Sequence, residues 1–453
     1  MSTLIEIKKI VEYKNSRLLD KEQKSKYELD SIIKTVTEKY KKNEYDFKEF
    51  SVLNLSKDKK VRKVYTYKDF SLENILCIYM KRLLEKKFYV KYPNRNKFIH
   101  SLFDIMNSLK DMNDYTIYRF DFKKFFDTIS NEYVFEKYIK NINLERYQID
   151  LINKYVQDVK YCHAGFNVSN IFCEIISRDF DELLRAELNS KGAIYYRRYV
   201  DDGIIVFNQY IEKEECKRVI ENIIEKVFRD NKIICKTKCK VTLNLKKEQY
   251  ISRRNIPEKT EFDFLGYLFC LEKTKEDKIK MSYGITKKKI DKYNRRIENI
   301  VLEYKKNKQM ELLRQKIKAF CFRIVYRVNK KNMILWKDKG FIANYSELRY
   351  RTENLTKETE MFLKNAVKNA FGKNKVKLPY FLKESKKPIC EEENIYNLYN
   401  NLKRYKSLIF IDEIGIKKET LIKLCRRLNM YIEDTDSYEH ILQEYLLTIK
   451  VGH

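Results

Sequence analysis

The stretch IYYRRYVDDGIIVF, residues 194–207, decides the fold of this chain. Two short runs rich in β-branched and aromatic residues, 194–199 and 203–207, flank the acidic pair Asp201-Asp202. Such runs on either side of a short polar link are typical of two strands joined by a tight hairpin. Two adjacent carboxylates at a hairpin tip repel each other unless a cation lies between them. An interpretation as ordinary solvated turn residues stays open, because turns also favour Asp.

A third acidic residue, Asp121, ends the apolar run 115–122, which predicts another strand. Mg²⁺ prefers a few carboxylates together with phosphate oxygens. A pair of such ions held by acids from two strands is the arrangement that in-line phosphoryl transfer requires. Asp121, Asp201 and Asp202 are therefore candidate metal ligands.

The composition of the chain limits its class and its partners. It has 453 residues and a formal net charge of +30, with only 9 Gly and 4 Pro. So few Gly and Pro exclude collagen-like and Pro-rich disordered chains and favour long helices, and the length predicts two or three domains. The basic excess favours nucleic acid as a partner ahead of an anionic membrane. It is concentrated in residues 281–340, whereas residues 391–453 are close to neutral.

The ten cysteines include no Cys-x-x-Cys pair, so we expect buried thiols in a reducing compartment and no zinc site. The N-terminus has no apolar core of signal-peptide length, and no stretch approaches 18 uncharged apolar residues. We therefore expect a cytoplasmic protein without a membrane segment.

The hydrophobic pattern predicts an α+β chain in three parts, with boundaries at 1–60, 61–275 and 276–453. The first part has the pattern of polar helices, and the chain beyond residue 283 is expected to be nearly all helix, with breaks near Gly340, Pro379 and Pro388. The middle part mixes both types. We predict strands at 59–67, 238–245 and 262–270, and helices at 71–88, 96–110 and 212–229.

Five ordered motifs in residues 120–267 resemble those of the reverse transcriptase family. FDFKKFFDTI at 120–129 resembles the first palm motif, Asp-x-x-x-Phe-Phe-x-x-Ile, and YVDD at 199–202 resembles the catalytic hairpin. GFNVSNIFCEI at 165–175, LNLKK at 243–247 and FLGY at 264–267 resemble the second motif, the Leu-Asn-x-x-Lys element and the primer grip. The resemblance implies right-hand polymerase fingers and palm followed by a mainly α-helical C-terminal domain, with RNA-directed DNA polymerase activity.

The resemblance also implies a metal set. Asp121 and Asp201 would bind two Mg²⁺ ions, or Mn²⁺ in their place, with Asp202 assisting and the backbone carbonyl of Phe122 completing the shell. These ions would activate a primer 3′-hydroxyl and stabilise charge on the phosphates.

Other positions would bind the deoxynucleoside triphosphate. Phe126 matches the bulky residue that lies beneath the sugar and excludes a ribose 2′-hydroxyl, whereas Phe125 is expected in the core. The basic strand VRKV at 61–64 resembles the fingers strand that meets the triphosphate, although a solvated charged strand has the same pattern. The nucleotide-binding residues implied are Arg62, Lys63, Phe126, Gly165, Ser169 and Lys247.

The second motif departs from the family pattern. His163-Ala164 stands where the family usually has Pro-Gln, and Asn170 stands where it has Pro. His163 either replaces the missing Gln or forms a structural hydrogen bond, and we expect the contacts to a template to be unusual.

At a coarser level the chain resembles the prokaryotic abortive-infection, defence-associated reverse transcriptases, in which a helical-repeat-like domain replaces the thumb. This implies antiphage defence and template-independent or unusual-template synthesis, with a protein hydroxyl as an available primer. It also implies a homo-oligomer or partner protein and a noncoding RNA partner. The alternatives are a retron- or intron-derived enzyme of a mobile element and a non-catalytic RNA-binding palm scaffold.

The C-terminal part is expected to serve two purposes. The basic segment 281–340 would grip a nucleic-acid backbone, with Tyr283, Tyr293 and Trp336 available for base stacking. Two apolar sets at helical spacing predict packing or subunit contacts instead: Leu421, Leu424 and Leu428, then Ile441, Leu442, Tyr445 and Leu446.

Overall fold

The computed structural model describes residues 3–16, 18, 23–57, 60–256, 259–276, 278–330, 333–383 and 396–450. The chain divides into two compact units between residues 256 and 257. The predicted break at Pro388 lies outside the described residues. The α+β class is confirmed, since helices and four separate sheets occur along the described chain. The three-part division at residues 60 and 275 stays a prediction.

The first unit contains nine α-helices and six strands in the part of it that the structure describes. In chain order they are α1 Thr3–Asn15, α2 Lys26–Lys41, β1 Ser51–Lys57, β2 Lys60–Thr66, α3 Leu72–Lys87, α4 Arg95–Ser108, β3 Thr116–Asp121, α5 Phe125–Thr128, α6 Asn131–Val134, α7 Arg146–Asp158, α8 Asn167–Asn189, β4 Ala193–Tyr199, β5 Asp202–Phe207, α9 Lys213–Phe228 and β6 Gln249–Ser252.

A four-stranded antiparallel sheet with the strand order β4-β5-β3-β6 forms the centre of this unit. Every residue of β3 is buried, as expected for a central strand. The long helix α8 adds a buried apolar face that includes Ile171, Ile175 and Leu184. These elements share one hydrophobic core with α1, α2, α3, α7 and α9. The predicted strand at 115–122 and the predicted hairpin at 194–207 are confirmed.

The predicted helices of this unit are also confirmed, and local capping explains where one of them begins. Ser71 precedes α3 in extended conformation, and its hydroxyl accepts a hydrogen bond from the Asn74 backbone N–H. The helices predicted at 96–110 and 212–229 correspond to α4 and α9.

Two predictions for the first unit were wrong. Residues 1–60 are not all helical, because β1 pairs antiparallel with β2 over their whole length. The segment 238–245 is not a regular strand, and it makes a single bridge between Leu243 and Phe122. Its backbone instead makes scattered hydrogen bonds at the end of β3, from Lys123 N to Thr242 O (2.9 Å) and from Asn244 N to Asp121 O (2.7 Å). The segment with apolar alternation therefore lies against the end of β3, but it does not add a regular strand to the sheet.

The second unit contains seven α-helices and six strands among its described residues. They are β7 Lys259–Phe264, β8 Tyr267–Lys273, β9 Ile279–Ile285, α10 Lys287–Asn307, α11 Met310–Cys321, β10 Arg323–Lys330, β11 Met333–Lys339, α12 Phe341–Asn344, α13 Lys357–Lys373, α14 Leu398–Lys403, β12 Ser407–Phe410, α15 Lys418–Arg427 and α16 Tyr438–Thr448.

Two predictions for this unit also need correction. The run 262–270 is a hairpin, because Leu265 and Gly266 both have positive φ (50° and 84°) and turn β7 into β8. The chain beyond residue 283 is not nearly all helix, since β10 pairs with β11 and β12 in a three-stranded sheet. The β10–β12 pairing is parallel and joins segments some eighty residues apart in sequence, which local periodicity cannot detect. The predicted breaks near Gly340 and Pro379 are confirmed.

The core of the second unit bears on two further predictions, one for the C-terminal apolar sets and one for the stacking tyrosines. The C-terminal apolar sets pack into one cluster with Ile324 of β10 and Phe410 of β12, as the packing interpretation predicted. Tyr283 and Tyr293 are buried, with 1% and 5% exposure, so their predicted availability for base stacking was wrong. Trp336 is 61% exposed. Among the described residues, no helix has the length and apolar character needed to cross a membrane.

Candidate active site

The β4–β5 hairpin carries two of the three candidate carboxylates. Tyr199 pairs with Asp202, which leaves Val200 and Asp201 as a two-residue turn. Val200 has a φ of 59°, an uncommon conformation for a β-branched residue. On β5, Gly203 lies against the Phe120 ring, where a Cβ would come within 2.1 Å of a ring carbon. The hairpin tip is therefore held by close packing on β3, and this packing helps to maintain a strained turn.

The third carboxylate meets this turn because of the sheet register. Asp121, the last residue of β3, pairs with Asp202, and the backbone N–H of Phe122 donates to the Asp201 carbonyl at 3.0 Å. One carboxylate oxygen from each of Asp121, Asp201 and Asp202 lies within 4.8 Å of the other two. The Phe122 side chain is buried in the core, so only its backbone can face this cluster.

The carboxylates are electrostatically strained in the absence of a cation. Burial raises the pKa of Asp201 to about 6, and the negative charges of Asp202 and Asp121 add to this rise. Burial also raises the pKa of Asp202, although the Arg119 guanidinium offsets part of that shift. Three hard oxygen donors that repel one another fit a divalent cation such as Mg²⁺. The residues present are therefore suited to hold a metal.

Two polar side chains from the 243–247 segment hold Asp121. Lys247 Nζ lies 2.6 Å from Asp121 Oδ2, and Asn244 Nδ2 donates to Asp121 Oδ1 at 2.8 Å. Burial alone would lower the pKa of Lys247, but its hydrogen bond to Asp121 and the charges of all three carboxylates give a net rise. The Asp121 carboxylate is 1% exposed, whereas the Lys247 side chain is 51% exposed. The structure thus brings Lys247 to the cluster, and sequence reasoning missed Asn244.

Two arginines near the cluster were also missed. Arg119 Nη2 donates to Asp202 Oδ1 at 3.0 Å, and its Nη1 donates to Gln249 of β6. Arg198, immediately before Tyr199, is almost completely buried. The alternation of strand side chains contained a signal for Arg119, because residues two apart on a strand share a face, which places it beside Asp121.

The loop before α8 contacts the β1–β2 hairpin. The His163 ring stacks on Tyr65 of β2 with centroids 4.2 Å apart, and its Nδ1 lies 3.2 Å from Asp127 Oδ1. Tyr65 N donates to Ala164 O at 2.9 Å. These contacts favour the structural interpretation of His163 over a replacement for the missing Gln.

The second-motif residues lie in this region. Gly165 has a φ of 114°, and a Cβ there would come within 2.3 Å of the Tyr65 carbonyl oxygen, so only glycine fits against β2. Ser169 is buried in the first turn of α8 with 1% exposure. The predicted contacts of both residues with a nucleotide stay predictions.

The remaining predicted nucleotide residues differ in exposure. Phe125 is buried, as expected for a core residue, whereas Phe126 is half-buried beside it. Arg62 and Lys63 are exposed on β2. Because they are consecutive in a strand, their side chains point to opposite faces. Lys63 shares its face with Tyr65, and therefore with the ring that stacks on His163.

The sequence and the fold were compared with known protein families, curated proteins and solved structures. The family described as reverse transcriptase (RNA-dependent DNA polymerase) matches residues 57–269. No curated protein matches the sequence. Among solved structures, the chain is similar to apo telomerase from Candida tropicalis truncated from the C-terminal domain, with 15% identity and a TM-score of 0.33. That match covers 50% of this chain and 53% of the telomerase chain, so the chain spans about half the length of that structure.

The family match contains all three carboxylates, the hairpin that presents two of them and the 243–247 segment that holds the third. Residues 57–269, somewhat under half of the chain, are therefore similar to a reverse transcriptase (RNA-dependent DNA polymerase) domain, and this similarity includes the carboxylate site.

Proposed function

We propose that this protein adds deoxynucleotides to a 3′-hydroxyl by two-metal phosphoryl transfer, and that it does so in antiphage defence. The observation that carries the chemical part is the convergence of Asp121, Asp201 and Asp202, whose carboxylate oxygens lie within 4.8 Å of one another. A non-catalytic scaffold has no need for three mutually repelling carboxylates at one point.

The surroundings of the acidic residues support the roles proposed for them. Asp121 and Asp201 hold the metal ions. Asp202 contributes less to metal binding, because it is already paired with Arg119. When bound, two Mg²⁺ ions, or Mn²⁺ in their place, supply activation of the attacking hydroxyl and stabilisation of phosphate charge. Asn244 keeps Asp121 oriented throughout.

Lys247 can leave Asp121 and pair with a different anion during the reaction. Its ammonium neutralises Asp121 in the metal-free protein, and its half-exposed side chain is free to swing away when a metal takes that place. The leaving pyrophosphate is a new anion that forms in the proposed site. Lys247 pairs with this group or donates a proton to it.

The nucleotide site extends from the carboxylates towards β2. Phe126 lies five residues beyond Asp121 and is half-buried, which suits a ring placed beneath a deoxyribose. Lys63 lies on the strand face that meets His163, and His163 contacts Asp127 next to Phe126. Lys63 is therefore better placed than Arg62 to meet the triphosphate.

The defence role rests on more general features. The departures at His163-Ala164 and Asn170 support an unusual template or none, and the charge of +30 supports a nucleic-acid partner such as a noncoding RNA. Protein priming needs an accessible hydroxyl, and exposed tyrosines include Tyr27, Tyr89, Tyr380 and Tyr431. We also propose that the protein acts as an oligomer or with a partner protein.

Incubation of the purified protein with Mg²⁺ and labelled deoxynucleotides, with and without RNA or DNA templates, tests this function. We expect incorporation that Asp201→Asn abolishes, and product that stays with the protein after phenol extraction if priming is from a Tyr. Phage plating on cells with the wild-type or Asp201→Asn protein tests the defence role. Absence of incorporation under every condition, together with unchanged plating, would contradict the proposal.

A further inference from the structure

A buried charged network lies behind the hairpin that carries Asp201. Its centre is Arg198 of β4, whose side chain is 2% exposed. Its carboxylate partners, Glu174 and Asp181, both lie on α8 seven residues apart, which places them on one face of the helix about two turns from each other. A buried guanidinium is costly to desolvate unless all of its donors are engaged.

Arg198 is bound on nearly every side. Its Nε and Nη2 donate to the two carboxylate oxygens of Asp181, each at 2.9 Å, and Nη2 also donates to Glu174 at 3.2 Å. The hydroxyl of Tyr196 donates to Asp181 at 2.6 Å. The two-pronged pairing with Asp181 fixes the plane of the guanidinium relative to α8.

The remaining contact of Arg198 is with the turn itself. Its Nη1 donates to the carbonyl oxygen of Val200 at 2.7 Å. Val200 holds the positive φ of 59° that the two-residue turn requires, and the peptide that begins with this carbonyl ends at the nitrogen of Asp201. A strained turn persists only where its surroundings hold it in place. Arg198 holds the turn in place, because it binds the Val200 carbonyl while its other donors are anchored to α8.

We propose that Arg198 is a positioning residue, which orients the Val200–Asp201 peptide so that the Asp201 carboxylate faces Asp121 before any metal binds. It acts through the backbone and does not itself touch substrate. The inference deepens the proposed function and rests on it, because an oriented Asp201 carboxylate matters only if the carboxylates bind a metal. A lysine in its place would keep the charge but lose the planar set of donors that reaches Asp181, Glu174 and Val200 together.

The neighbouring Arg197 offers a matched control. Its side chain points to the opposite face of β4, where the guanidinium lies over the Tyr195 and Phe98 rings, and its Nη1 donates to the Tyr196 carbonyl. Arg197→Met therefore removes one arginine from the same strand without touching the Val200 turn.

Three variants of the full chain separate positioning from stability: Arg198→Lys, Arg197→Met and the charge-free triple variant Glu174→Gln, Asp181→Asn, Arg198→Met. The triple variant leaves no unpaired buried charge, so its melting temperature in EDTA should stay close to that of the wild type. We expect both Arg198 variants to lose about 10- to 100-fold in Mn²⁺ affinity by calorimetry and in kcat. The KM for deoxynucleotide should change little, and hydrogen exchange should quicken at the Asp201 and Asp202 amides.

The outcomes can be told apart. A triple variant that melts like the wild type and also binds Mn²⁺ and turns over like it would overturn the positioning role. An equal loss of affinity in Arg197→Met would overturn it too, since the effect would then be general. If the wild type itself bound no Mn²⁺ at the carboxylates, the proposed function would fail and the inference with it, whereas failure of the variants alone to differ leaves the proposed function intact.

Discussion

Asp121 is the most constrained residue of the site. It is buried, it ends a central strand, and both of its oxygens already have partners, in Asn244 and Lys247. Asn244 can stay in place when a metal binds, because an amide donor and a cation can share one carboxylate. Lys247 would compete with a cation for Asp121, because its ammonium lies 2.6 Å from Oδ2. In the proposed mechanism this lysine competes with the metal in the free protein and pairs with the leaving group during turnover.

The Lys247→Gln variant should separate these two roles. Without the competing ammonium, we expect Mn²⁺ to bind to the free protein up to about tenfold more tightly, a modest gain because the lysine is half-exposed. Turnover should fall by about 10- to 100-fold, since the leaving group loses its cation. Calorimetry and steady-state incorporation measure the two effects. Lys246→Gln, which removes an exposed charge next to it, is the control, and parallel changes in both variants would count against the specific roles.

The raised pKa of Asp201 predicts how metal affinity depends on pH. Its carboxyl has a pKa of about 6 in the folded protein against 3.8 ordinarily, so the metal-free native state binds the extra proton between these values. Metal-free stability should therefore fall as pH rises through this window, and Mn²⁺ should bind more tightly as the proton leaves. Calorimetry should detect proton release on Mn²⁺ binding at about pH 5.5 and little at about pH 7.5. Affinity that is constant across this range would refute the assignment.

At the scale of elements, sequence patterns correctly predicted the helices and strands whose formation depends on local periodicity. The strand that ends at Asp121, the hairpin of Asp201 and Asp202, and helices α3 and α9 follow from alternation and capping. The strands β10 and β12 did not, because their parallel pairing depends on distant segments. The ion pairs of Arg198 were likewise hidden, since a sequence with 95 Lys and Arg residues does not indicate which of these side chains pairs with a distant helix.

Gly165 should show how tightly the loop before α8 packs on β2. In Gly165→Ala the new Cβ meets the Tyr65 carbonyl at 2.3 Å and the backbone has a positive φ, so we expect a loss of about 2 to 4 kcal/mol in unfolding free energy. Gly372→Ala is the opposite case, because no atom lies within 4 Å of its Cβ in helix α13. That variant should gain about 0.5 to 1 kcal/mol. Denaturant titration compares them, and equal stabilities would contradict the packing.

The two faces of β2 give a second test at this scale. Lys63→Ala should raise the KM for deoxynucleotide by about tenfold, whereas Arg62→Ala, on the other face, should change it by less than about twofold. Both residues are exposed, so neither change should alter folding. A larger effect at Arg62 would reverse the assignment of the face that meets the triphosphate.

At the scale of the whole molecule, the two units have separate roles in this account. Every member of the main core of the first unit lies between Ile7 and Val241, and the three carboxylates lie within the same stretch. We expect residues 1–256 alone to unfold cooperatively and to bind Mn²⁺ within about threefold of the full chain. Synthesis should become short, and nucleic-acid binding should become weaker with a shallower dependence on salt, because the basic segment 281–340 and its phosphate contacts are lost. A fragment that is molten would show that the first unit depends on the second.

We propose above all that Asp121 and Asp201 hold two metal ions for nucleotidyl transfer. Anomalous diffraction from crystals grown with Mn²⁺, a primed strand and a non-reactive deoxynucleotide analogue tests it most directly. We expect two Mn²⁺ peaks about 3.5 to 4 Å apart, both contacted by Asp121 and Asp201, with Lys247 withdrawn from Asp121. Mn²⁺ bound elsewhere, or no ion at these carboxylates with the nucleotide in place, would contradict the account.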